Sequence, residues 1–192
     1  MTSFVLSKLG SDHIDEISAA NNEPTWLKDY RKNSFAIYKE LPAEVSPLYN
    51  KYSDANKMDN DQISFSLSSD STIPDLVRDR MSEISDNASV IQIGTNIYKI
   101  NLPSELKSKG LIICSIQDAI REHADKIKNS LELTDPKKDK FVALNNAFFN
   151  SGFFVYIPRN LILEKSIHII SSLSVDGTST IFTQYHNRRR KQ

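Results

Sequence analysis

Apolar residues recur at helical spacing early in this chain and at strand spacing late in it. Trp26, Leu27, Tyr30, Ser34, Ile37, Tyr38 and Leu41 fall on one face of a helix of about five turns. That helix opens at Glu23-Pro24, because a proline at the first helical position has the right φ and lacks only an N–H that would have no partner anyway. Pro42 and Pro47 stop it. The stretch from Ser46 to Gln62 is polar and rich in Asp and Asn, and reads as a loop.

Ile63 to Leu67 alternates as a half-buried strand does. Ser71 or Thr72 caps a second helix, with Pro74 in its first turn and Ile73, Leu76, Val77, Met81 and Ile84 on one face. Val90–Ile93 and Ile97–Leu102 are strand-like runs around Gly94-Thr95-Asn96, a hairpin signal, since Gly and Asn tolerate positive φ. Leu111–Cys114 predicts a short buried strand. Ser115 and Asp118 then form a capping arrangement for a helix carrying Ile116, Ala119, Ile120, Ala124, Ile127 and Leu131 on one side.

After the charged segment Asp135–Asp139 comes a short helix bearing Phe141, Leu144, Phe148 and Phe149. From there the texture changes to brief β-rich runs: Phe153–Ile157, Leu161–Leu163, Ile167–Ile170 and Thr180–Tyr185. Such runs suit the rungs of a β-solenoid or a sandwich, and four are too few to close either one. The chain therefore reads as a mixed helical and small-sheet domain over 1–134, a connecting helix and the start of a β architecture over 135–185, and a disordered basic tail over 186–192. It looks cut off partway through that architecture, with unpaired backbone groups at its end.

Composition adds bounds. Of 192 residues, 39% are hydrophobic and 25% charged, a globular balance that can bury a core. Net charge is zero, so no long-range attraction to nucleic acid or an anionic membrane is expected of the body. Arg188, Arg189, Arg190 and Lys191 concentrate positive charge at one end, which reads first as a solvated tail and second as a nucleic-acid arm. One cysteine excludes an internal disulfide framework and points to a reducing compartment. The first residues lack a signal-peptide pattern and no long apolar run spans a bilayer, so a soluble, cytoplasmic protein is expected.

Candidate chemistry is sparse. Cys114, His13, His123, His168 and His186 lie far apart, without metal-ligand spacing. His168, set between apolar residues, suits an outward position or a structural hydrogen bond, and Cys114 suits core packing. The glycines Gly10, Gly94, Gly110, Gly152 and Gly177 stand alone, so no phosphate-cradling loop is present. Asp54–Asp61 resembles a calcium loop but has Met58 at the fifth position and Asp59 where glycine belongs. Trp26, Tyr30 and Tyr38 could form a base-stacking platform, although their helical spacing favours the core. The expected catalytic, cofactor-binding and metal residues are therefore none, and the chain is not expected to be an enzyme.

Three segments carry a more specific signal. Glu23-Pro24-Thr25-Trp26-Leu27 resembles the opening helix of the SufB/SufD family of iron–sulfur cluster assembly scaffolds. Gly110–His123, ending in Arg121-Glu122-His123, is similar to that family's strand-then-helix segment. Asp139-Lys140-Phe141-Val142-Ala143-Leu144-Asn145, followed by Ser151-Gly152-Phe153-Phe154-Val155-Tyr156-Ile157-Pro158, is similar to its helix running into the first rung. The likeness covers roughly Glu23 to Thr183, and the segment Pro47–Asp54 leans toward the SufD-like side.

The resemblance implies an α+β N-terminal domain followed by the first rungs of a right-handed parallel β-helix, here truncated. It also implies a SufB/SufD-type partner met through the β-helix and a SufC-type ATPase docked by a C-terminal region that this sequence does not match. The family's cluster is assembled on residues with no counterpart here, so no cofactor is expected in this chain. The expected function is the structural, partner-binding portion of a cluster-assembly scaffold. Alternatives are a stand-alone module pairing with a full-length SufB or SufD through an open β edge, a homodimer, and a basic-tailed nucleic-acid binder.

Overall fold

A hairpin, seven helices and a set of short strand pairs emerge among the described residues of the computed structural model, which describes residues 8–42, 64–65, 72–172, 179–180 and 183–188. The calcium-loop candidate Asp54–Asp61 lies outside the described residues. The chain divides into two units: Met1–Ser66 with Leu131–Phe149 and Thr178–Phe182, and Leu67–Ser130 with Asn150–Gly177 and Thr183–Gln192.

The first unit is built on helices. Helix α1 (Ser11–Ala20) was not foreseen, because only Ile14 and Ile17 face its core and so short an apolar pattern is a faint signal. Helix α2 (Thr25–Glu40) starts one residue later than expected, with Pro24 at φ −67°, ψ 151° as its N-cap rather than its first helical residue. Its buried stripe is Leu27, Arg31, Ser34, Phe35 and Tyr38, spaced by three and four. The stripe thus includes Arg31 and Phe35 and leaves Trp26, Tyr30 and Ile37 only half-buried, rotating the expected face by part of a turn. Helix α7 (Lys140–Phe148) packs against α2 and α1. Asp139 caps it by accepting bonds from the Phe141 and Val142 N–H groups at 2.8 and 2.9 Å. The common core holds Leu9, Ile14, Ile17, Phe35, Tyr38, Ala143, Leu144, Ala147 and Phe148. Phe148 meets Phe35 edge-to-face at 5.2 Å, the arrangement the ring quadrupoles favour. Phe141, expected on that face, is exposed instead. Strands β1 (Ser64–Phe65) and β7 (Ser179–Thr180) form a short parallel pair.

The second unit is layered. Strands β2 (Ser89–Ile93) and β3 (Asn96–Asn101) pair antiparallel across a two-residue turn, where Gly94 takes φ 56°. Strand β6 (His168–Ser172) joins β2 from the other side in parallel, giving the order β3-β2-β6. Strands β4 (Ile112–Ser115) and β5 (Ser151–Tyr156) pair antiparallel, and β8 (Thr183–Arg188) adds to β5 in parallel. Since β2 is buried along its whole length, its side chains go both ways. Ile91 and Ile93 pack with Val77 and Met81 of helix α3 (Asp75–Glu83). Val90 packs with Leu111, Ile113, Phe153 and Val155 from the β4-β5 side.

Helix α4 (Ser104–Ser108) leads through Gly110 into β4. Gly110 has φ 86°, and a Cβ there would come 3.2 Å from Pro158, so the site calls for glycine on two counts. Helix α5 (Ile116–Glu122) packs on β5. The single long helix expected from Ile116 to Leu131 is two, because His123 leaves helical geometry at φ −133°, ψ 36°. His123 donates its N–H to Ala119 O at 2.8 Å and accepts from Lys126 and Ile127, ending α5 while starting α6 (Ala124–Leu131). The apolar stripe survives the break: Ile116, Ala119, Ile120, Ile127 and Leu131 are all buried.

Four further expectations change. Leu76, placed on the inner face of α3, is 71% exposed. The N-cap of α3 is Pro74 and not Thr72, while Ser71 lies outside the described residues. Leu161–Leu163 is not a strand: after a turn at Pro158–Asn160, Leu161 and Leu163 reach the apolar layer while Ile162 stays outside. Its alternation belongs to extended backbone that pairs with no strand. At the other end, β8 runs through His186 and Asn187 to Arg188, residues read from sequence as the start of the tail.

Candidate functional site

The residues with the greatest chemical potential are dispersed. His13 sits at the start of α1, where its Nδ1 accepts the Gly10 N–H at 3.3 Å. The His123 ring lies 6.2 Å from that of Phe154. His168 Nε2 lies 3.3 Å from Asn87 Nδ2, a structural hydrogen bond of the kind its position suggested. His186 pairs through its backbone opposite Phe154 in β8. Cys114 sits opposite Phe154 in β4, and its thiol is pushed up to about 12, first by burial and then by the Asp118 and Glu122 carboxylates. A thiol so held is protonated at neutral pH and is neither nucleophile nor metal ligand in that state. Among the described residues no three His, Cys, Asp or Glu side chains gather.

Two buried cations in the first unit were not assigned a role from sequence. Arg31 is 1% exposed and forks onto Glu23, with Nε 2.8 Å from Oε2 and Nη2 2.6 Å from Oε1. Ser18 Oγ donates to the same carboxylate at 3.1 Å. The remaining arm of the guanidinium, Nη1, donates to Ala147 O at 3.2 Å, and its carbon stands 4.0 Å from the centre of the Phe149 ring. Lys140 is 2% exposed, and its Nζ donates to Tyr38 O at 2.6 Å and Leu41 O at 2.5 Å, 4.5 Å from the Tyr38 ring.

Together these contacts make a reciprocal clasp. The last carbonyls of a helix have no partner within it and form its negative pole. Lys140, at the start of α7, covers that end of α2; Arg31, from within α2, covers that end of α7. The two helices must therefore run antiparallel. The Glu23-Pro24 motif has a physical reason here: the proline starts the helix and the carboxylate just before it balances a buried arginine eight residues on. The signal available in sequence was an arginine four residues after Leu27 and four before Phe35, on the core stripe. This cluster is structural, since every polar atom named already faces another.

Of the aromatic platform only Tyr38 joins the first unit's core, and Trp26 and Tyr30 are half-buried outside it. Tyr38 is fully buried and stacks near Phe35 at 6.1 Å, and burial raises the Tyr30 hydroxyl above its usual value.

What the second unit offers is backbone. In the order β3-β2-β6, strand β6 is bonded on one side to β2, and in β4-β5-β8, strand β8 is bonded on one side to β5. Among the described residues no strand lies against their other edges. Ile169 in β6 is 52% exposed, although it shares a face with Val90, which is wholly buried. An exposed isoleucine on an outer strand is a feature that strand addition can use. The edge strands are thus the candidate functional site, and their chemistry is recognition.

A model of the SufBD protein N-terminal region matches residues 15–169. The chain is 28% identical over 180 residues to an iron-sulfur cluster assembly protein SufD of Bacillus subtilis, covering 88% of this chain and 40% of that protein. It is 26% identical over 170 residues to an iron-sulfur cluster assembly SufBD family protein of Staphylococcus aureus, covering 80% of this chain and 36% of that one. The chain spans two fifths or less of the length of these curated relatives.

Proposed function

From a chain that belongs to the iron–sulfur cluster assembly SufBD family by its N-terminal region, we propose a non-catalytic part of an assembly scaffold whose own work is to bind a partner chain. The observation that carries this reading is the succession of parallel pairs. Strand β6 lies on β2 with His168 opposite Ser89, and β8 lies on β5 with Thr183 opposite Ser151. We read β5 and β8 as successive rungs of a right-handed parallel β-helix, in which each strand adds to the one a turn earlier. A SufB/SufD-type strand would continue the ladder at the outer edge of β8. A raised thiol at Cys114 supports the view that the described residues do no chemistry themselves. Among those residues no helix is long and apolar enough to cross a membrane, and we place the protein in the cytoplasm with the cluster as cargo of the larger assembly.

The second reading is a module that pairs in trans with a full-length SufB or SufD, and the exposed edge at Ile169 favours it. One experiment addresses both. The purified chain is mixed with a full-length SufBD family protein from the same genome and resolved by size exclusion with light scattering. A one-to-one complex is expected, and Ile169→Lys, which places a charge on the β6 edge, should weaken it at least tenfold while leaving the circular dichroism unchanged. Wild-type chain that stays separate from the partner overturns the binding role. In parallel, anaerobic incubation with iron and sulfide should give no stoichiometric cluster absorbance, and a stable cluster on this chain would overturn the non-catalytic assignment.

A further inference from the structure

No further inference is drawn: the strongest candidate, the open groove formed by the segment after β5 and lined by Ile157, Leu161, Ile162, Leu163, Glu164 and Lys165, is a mixed polar and apolar surface that nothing in the structure shows to be covered by any particular occupant.

Discussion

The two units hold their elements in place by different means. In the first, α2 and α7 are fixed by two buried cations, each set on the carbonyl end of the other helix. In the second, β2 is buried on both faces, with Ile91 and Ile93 in one apolar layer and Val90 in another, and Gln92 is buried beside them, donating to Gly94 O and Ser151 Oγ. A buried charge tolerates one arrangement, because sliding either helix by a residue would strand a cation away from its acceptors. An apolar layer accepts several arrangements of similar volume, so in the second unit the hydrogen-bonded ladder must fix the register. The charged clasp is satisfied within α2 and α7, whereas a strand ladder is the kind of structure another strand can join. That difference is why recognition is assigned to the strands.

The strongest way to break this contrast is to remove Arg31. Arg31→Met leaves the Glu23 carboxylate buried without its partner, and a loss of about 3–5 kcal/mol is expected in urea unfolding. The double variant Glu23→Gln with Arg31→Met should recover much of that loss. If the single variant costs no more than a surface change, the clasp is not what secures the first unit.

Lys140→Met comes next, deleting two bonds from a charged donor, at about 2 kcal/mol. This position also carries a pH signature. Burial holds the Lys140 ammonium below its usual 10.5. The unfolded chain therefore keeps that proton to higher pH than the folded chain does, so stability from this group rises as pH climbs from the depressed value toward 10.5. The stability difference between wild type and Lys140→Met should widen across that window, and a difference that narrows contradicts the assignment.

In the second unit the polar contributions are smaller. Ser115 Oγ accepts the Asp118 N–H at 3.1 Å and caps α5, so Ser115→Ala should cost about 1 kcal/mol, read as a shift in thermal midpoint. A loss comparable to that of Arg31→Met would show that the second unit also depends on polar contacts. The smallest effect is expected at Ile162, 83% exposed, where Ile162→Ser should change stability by less than about 0.5 kcal/mol. A large loss there would mean that the segment after β5 is packed in solution.

Much of the secondary structure was legible because its signals are local. Glu23-Pro24 marks where α2 begins, Gly94 marks the hairpin, and α7 begins where the charged segment Asp135–Asp139 ends. Signals failed where the pattern was satisfied in more than one way. Leu161–Leu163 is a short β-rich run yet pairs with no strand, Ile116–Leu131 keeps a helical stripe across a break at His123, and Phe141 continues a stripe that the core does not use. The candidate site was legible only as a class of surface. Strand edges depend on which runs become neighbours, and β2 finds β6 from far along the chain.

The sequence by itself determined the family, through three motifs in order, and the positions of helices and turns, through proline, glycine and capping residues whose preferences act within a few residues. Only the tertiary structure decided that Arg31 and Lys140 are buried, and which strand edges are left without a neighbour among the described residues. A charge enters a core, and an edge is left open, only according to what packs beside it, and those neighbours come from distant parts of the chain.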